Sequence, residues 1–190
     1  MSTQSMSRPE LKGSINAVPI LDLTHLKSVD ELKNITKISA VGSILLSDSF
    51  QGTLGGIPMT AVGPIIRVPD NSKVNHIGGM LKVGGEFLEN PSVDGADILL
   101  VSGELLVTTP PTKFGYKQLI VTGELFVPRG SEGVLTPFIT QTSGQIIPYD
   151  HHNPRVFMGR GSFGKEFFTY LKDPITMILM GDYTIESDVT

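Results

Sequence analysis

The chain is 190 residues long, 39% hydrophobic and 18% charged, and its 15 basic and 19 acidic groups leave a net charge of −4. That is enough chain for one domain with a sizeable core, with no basic excess to hold nucleic acid and no polybasic run for an anionic membrane surface. There is no cysteine, which excludes disulfides and thiolate zinc sites. Residues 1–9 are polar, lack the apolar stretch of a signal peptide, and read as a flexible tail. No run approaches the roughly eighteen apolar residues of a membrane span, so the expectation is a cytoplasmic protein. The 21 glycines and 13 prolines favour many short strands and turns over a helical bundle.

Leu11-Lys12-Gly13-Ser14-Ile15 resembles a degenerate first copy of a motif that dominates the rest of the chain. Leu23, Leu26, Val29, Leu32 and Ile35 are then apolar at every third position, and Ser28 with Glu31 forms a capping box. The spacing predicts a short helix over 29–34, with an irregular turn as the alternative. From Ile38 the motif is regular. Ala40-Val41-Gly42-Ser43-Ile44 is followed by Ala61-Val62-Gly63-Pro64-Ile65, Val83-Gly84-Gly85-Glu86-Phe87, Val101-Ser102-Gly103-Glu104-Leu105, Val121-Thr122-Gly123-Glu124-Leu125 and Thr142-Ser143-Gly144-Gln145-Ile146. Leu179-Met180-Gly181-Asp182-Tyr183 fits again, with room for one more copy around 156–163. A period of about twenty residues signals a repeat architecture.

The motif returns in the same direction each time, and Gly/Pro-rich turns separate the copies. Hairpins would mirror the pattern on alternate strands, so equivalent strands should lie parallel. The expected fold is therefore mainly β, a parallel β-helix or solenoid with coils of about twenty residues, forming a single domain over residues 10–190. A strand-like pattern runs to within a few residues of Thr190, so the C-terminal end is expected to be uncapped, paired with another molecule, or continued in a longer chain. Side chains alternate faces along a strand. Leu99, Val101, Gly103, Leu105 and Val107 share one face, and Leu119, Val121, Gly123, Leu125 and Val127 share the equivalent one. These should point inward, with glycine admitting the opposite wall; the other parity would bury Glu104 and Glu124.

On the outer face this parity leaves an acidic row, Glu86, Glu104 and Glu124. Beside it run apolar rows containing Leu45, Ile66, Leu88, Leu106, Phe126 and Ile147, and Leu100 and Ile120. A solvated face does not need these apolar residues. Either another segment of the chain covers them, or they dock a partner or a second copy.

Gly159-Arg160-Gly161-Ser162-Phe163-Gly164-Lys165 matches G-x-G-x-x-G. A short helix is expected near 165–171, then a strand over 175–180 and Asp182, the context of a dinucleotide fingerprint. Gly159, Gly161, Gly164, Lys165 and Asp182 are the candidate nucleotide-binding residues, although the remaining strands of such a fold are missing. Asp150-His151-His152 is the single histidine cluster and lacks the further ligands of a metal site. No Ser-His-Asp arrangement or G-x-S-x-G motif is evident, so no catalytic residue, metal or cofactor is assigned and a non-enzymatic protein is expected.

The repeated Val-x-Gly-x-Leu-Leu-Val over roughly residues 36–149 resembles two solenoid groups. One is the bactofilins, bacterial polymer-forming β-helix proteins with flexible tails. The other is the receptor L-domains, whose coils have a similar I-x-G-x-L core. The likeness lies in the repeat pattern. It implies a solenoid shape and a structural or scaffold role, by self-association or partner docking through an apolar outer face or open solenoid ends. The alternative is a ligand-binding module with a nucleotide site at Gly159–Lys165.

Overall fold

The computed structural model describes residues 11–91 and 94–189; the expected tail over 1–9 lies outside them. The fold is mainly β, with parallel ladders and a few short helices. Contacts group into two compact units that divide after Val74, where the sequence reading has one domain. Among the described residues no helix is long and apolar enough to cross a membrane.

The N-terminal unit contains β1 (Gly13–Asp22), β2 (Ile35–Ser47), β3 (Met59–Val62) and β4 (Ile65–Val68). β1 lies parallel on β2, with Val18 opposite Val41 and Leu21 opposite Ile44. β3 and β4 lie in succession along β2 as well, with Val62 opposite Val41 and Ile65 opposite Ile44. A first repeat does precede β2, but its motif is Ala17-Val18-Pro19-Ile20-Leu21 and not Leu11–Ile15, since Gly13 lies opposite Ile35. Each repeat kinks at an alanine in the left-handed region: Ala17, Ala40 and Ala61 have φ of 55°, 51° and 52°. This kink breaks simple alternation, so Ile38, Val41, Ile44 and Leu46 all reach one core, with Ile15, Leu21, Leu23, Leu32 and Leu54.

The helix expected over 29–34 is a single 3-10 turn, Val29–Leu32. Glu31 Oε1 accepts from the Lys27 and Ser28 backbone N–H groups at 2.8 and 3.2 Å, which supplies the glutamate half of the capping box. The turn delivers Leu32 to the core.

The C-terminal unit begins with two four-stranded parallel sheets. One has the order β11 (Ile139–Thr142), β9 (Gln118–Val121), β7 (Ile98–Ser102), β5 (Val74–Gly78); the other β12 (Ile146–Tyr149), β10 (Leu125–Pro128), β8 (Leu105–Val107), β6 (Leu81–Val83). Each repeat gives one strand to each sheet. Leu99 lies opposite Leu119 and Val101 opposite Val121 in the first sheet. Leu81, Leu105, Leu125 and Ile146 align across the second. The inward positions are as expected: Leu99, Val101, Leu105, Val107, Leu119, Val121, Leu125 and Val127 form one buried cluster. The return segments close it. Leu88 on α1 (Gly85–Glu89), Leu135 on α2 (Glu132–Leu135), Phe114 and Tyr116 complete the core.

Three details differ from the sequence reading. Val101–Val107 is a corner between two sheets, because the strand is interrupted at Gly103-Glu104. The glycine admits the neighbouring repeat, not the opposite wall. A Cβ on Gly63, Gly103, Gly123 or Gly144 would come within 3.0 Å of the carbonyl of Gly42, Gly79, Gly103 or Gly123 respectively. The glycines therefore form a column along the corner in each unit. The third copy is also misplaced by the motif. The column uses Gly79, with Leu81 opposite Leu105 and Val83 opposite Val107, whereas Gly85 starts α1 and faces the Pro110-Pro111 backbone.

The chain then forms β13 (Pro154–Phe163) and β14 (Thr176–Ile185), paired in parallel over all ten residues with Gly159 opposite Gly181. This is the extra copy for which the spacing left room. α3 (Lys165–Thr169) stands where a helix was expected near 165–171. Phe167 from α3 packs with Phe157 and Phe163, at ring-centroid distances of 5.9 and 4.8 Å, and Tyr183 stacks on Phe163 at 5.6 Å. These rings give the strand pair its own small core.

Candidate functional site: strand edges and the apolar outer face

The outer apolar row on the second sheet is not exposed. Leu106 and Phe126 are buried with Tyr149 and Ile178, and Met80, Ile147, Val156 and Met180 pack against them. Val156 and Ile178 come from β13 and β14, so the chain's own two-stranded sheet covers the row. Covering a Leu or Phe in this way stabilises by about 1.5–3 kcal/mol per side chain, which is why the row remains apolar although its neighbours at the corner are glutamates. Tyr149, buried in this row, braces the covered sheet itself. Its hydroxyl donates to the Val107 carbonyl at 2.6 Å, and burial pushes its pKa up to about 12.

The other expected interface residues are also inaccessible. Leu45, Ile66, Leu100 and Ile120 are each no more than 1% exposed. Leu88 belongs to no outer row: it is in the central core on α1. Glu86 is likewise on α1, so the acidic row contracts to Glu104 and Glu124, aligned by the Leu105–Leu125 pairing. Met80 and Gln145 take the flanking positions. The sequence motif could not reveal this, because Gly79-Met80-Leu81 and Gly85-Glu86-Phe87 fit it equally well.

The G-x-G-x-x-G residues do not form a phosphate cradle. Gly159 and Gly161 lie inside β13, where they pair with Gly181 and Tyr183 of β14. Ser162 Oγ donates to Glu186 Oε1 at 2.7 Å, and the Lys165 amide donates to both Asp188 carboxylate oxygens at 3.3 Å. The amide that a phosphate would use thus serves a carboxylate, and Glu186 and Asp188 would repel an anion there. Gly164 precedes a five-residue helix, and Asp182 makes an exposed ion pair with Arg160 at 3.2 Å. A shallow depression of about 230 Å³ beside α3 is lined by Lys165, Phe168, Thr169 and Val189.

Two pairings were not foreseen. His76 Nε2 lies 2.8 Å from Ser102 Oγ across neighbouring repeats, a contact that only the register of β5 and β7 creates. Glu89 accepts from the Thr112 backbone N–H at 2.6 Å and hydroxyl at 2.9 Å, and these bonds hold its carboxyl below the usual range. Both tie one repeat to the next. His151 and His152 are exposed on a loop, where the His152 amide donates to Asp150. Among the described residues, no group of three or more His, Cys, Asp and Glu side chains is arranged to hold a metal.

The accessible apolar atoms lie elsewhere. Among the described residues β14 pairs with β13 alone, and it exposes Leu179 and Ile185 at 39% and 57%. Met158 on β13 is 62% exposed. The edge is ten residues long and is thus a template for a further strand. Compared with protein-family models, curated proteins and solved structures, the chain matches none.

Proposed function

We propose that the chain is a parallel β-solenoid with a structural or docking role, acting by self-association or partner binding through an open strand edge and without catalysis. The polymer-forming role implied by the resemblance to bactofilins fits the same reading. The observation that carries it is β14: ten residues of strand, paired on one side, with exposed Leu179 and Ile185. Strand addition at such an edge supplies main-chain hydrogen bonds for affinity and alternate side-chain contacts for specificity. The buried outer rows leave the edge as the better candidate than the sheet face.

The test is mass in solution by light scattering over a concentration series, for the wild type and for Leu179→Lys combined with Ile185→Lys. Both side chains are at least a third exposed, so the fold should survive. Charges on an edge strand oppose pairing, and the variant should stay at the 20.5 kDa of a single chain where the wild type associates. A wild type that stays at single-chain mass at every concentration would sink the self-association form of the reading.

A further inference from the structure

We propose that Pro19 closes the β1 edge to a second copy of this chain. The inference rests on the reading of open strand edges as contact sites, and it concerns a different edge, that of β1 in the N-terminal unit. In the N-terminal unit β1 pairs with β2 alone, and β3 and β4 also pair with β2 alone among the described residues. The two edges match in shape, since Ala17 and Ala61 carry the same left-handed kink, with φ of 55° and 52°. A second copy's β1 would therefore extend the ladder past β3 and β4, head to tail, and repeated addition would give an open filament.

Register places Pro19 at a position where that addition fails. Val18 lies opposite Val41 and Ile20 opposite Ser43, so Pro19 is the counterpart of Gly42, and Gly42 that of Gly63. Along this column each residue's Cβ direction points at the carbonyl of the repeat before it. A Cβ on Gly42 would meet the Pro19 carbonyl at 2.5 Å, and one on Gly63 would meet the Gly42 carbonyl closer still. Pro19 has a Cβ. Laid past β3 and β4 of another copy, it would drive that Cβ into the Gly63 carbonyl.

The backbone adds a second block. The Gly63 N–H donates to Val41 in the repeat before at 2.9 Å. Proline has no such donor, so the carbonyl of Val62 in the other copy would gain no partner. Within its own unit Pro19 causes no conflict, because both its Cβ and its missing N–H face the open side. Proline is tolerated on edge strands for this reason, and there it opposes edge-to-edge association.

The experiment compares Pro19→Gly and Pro19→Ala by light scattering, each in the wild-type chain and with Leu179→Lys and Ile185→Lys. Pro19 is exposed, so neither change opens the core. Pro19→Gly should raise the mean mass by about twofold or more with rising concentration, in both backgrounds. Pro19→Ala keeps the Cβ and should remain at the mass of its parent. As a second arm, a synthetic peptide of residues 35–47, which carries the kink and Gly42, is added to the wild type, and the β1 amides should gain no protection from hydrogen exchange. An unchanged mass for folded Pro19→Gly, an equal gain for Pro19→Ala, or peptide protection of β1 in the wild type would each overturn the proposal. If β14 substitutions do not alter wild-type association but Pro19→Gly still gains mass, the edge reading fails at β14 while the block at β1 stands.

Discussion

The two units turn the same corner by different means. In the N-terminal unit β2 runs through it as one thirteen-residue strand, because Ala40 takes the left-handed kink and Gly42 passes the neighbouring carbonyl. In the C-terminal unit the strand breaks, and Gly103 takes both tasks, with a φ of 147° and the Gly79 carbonyl against its α-carbon. The kink is thus negotiable, while the bare α-carbon in the column is not. A left-handed alanine costs roughly 1–2 kcal/mol that a glycine does not. The N-terminal unit accepts that strain to keep its ladder continuous.

The largest expected effect probes what the units share. Gly63→Ala and Gly123→Ala should each lose about 3 kcal/mol or more in denaturant unfolding, because the added methyl meets backbone that cannot move aside. Gly133→Ala, with nothing within 4 Å, should instead gain about 0.5–1 kcal/mol as a helical position. Equal effects at all three positions would dissolve the column.

Next comes the cover over the second sheet of the C-terminal unit. Leu106→Ala should cost about 2–5 kcal/mol, while Leu179→Ala, exposed on β14, should stay within about 0.5 kcal/mol. Comparable values would mean that β13 and β14 do not seal the row.

Tyr149 gives the covered sheet a pH signature. Its folded pKa is raised from 10.0 to about 12, so its contribution is complete below pH 10 and lost as pH rises through about 12. Urea unfolding should report a loss of about 2 kcal/mol across that window. Tyr149→Phe should cost about 1 kcal/mol at neutral pH and flatten the alkaline fall.

A smaller effect separates the kinks. Ala40→Val places a β-branched residue at φ 51° and should lose about 1–2 kcal/mol, although Ala40 is exposed and no packing changes. Ala40→Gly should be close to neutral or slightly stabilising, since relief of strain is offset by the entropy of a freer unfolded chain. The smallest effect is at Glu89, whose carboxyl is held below its usual pKa by Thr112. Its contribution is present above about pH 4.5 and lost as pH falls through the folded value. Thr112→Val should reduce the acid sensitivity of stability.

Most of the repeat was readable from local pattern. Alternation placed Leu99, Val101, Leu105 and Val107 in the core, and the return of Val-x-Gly in one direction implied parallel pairing. The site was less readable. Leu106 and Phe126 look exposed by parity, because the strands that cover them lie far along the chain and carry no mark of where they will pack. Gly79 and Gly85 were interchangeable by motif, since only the registration of Leu81 against Leu105 distinguishes them. The glycine-rich segment at 159–165 has the composition of a phosphate cradle, but most of it is strand, and Glu186 and Asp188 arrive from beyond β14 to take the Ser162 hydroxyl and the Lys165 amide.

By itself, then, the sequence determined what depends on neighbours in the chain: the period, the direction of the strands, the inward face and the turns between copies. Only the tertiary structure decided which repeat lies against which, that the outer row is sealed, and that the corner glycines face one another's carbonyls. Those outcomes come from contacts between residues about twenty or more positions apart, where many pairings satisfy the same local pattern and only mutual packing selects one.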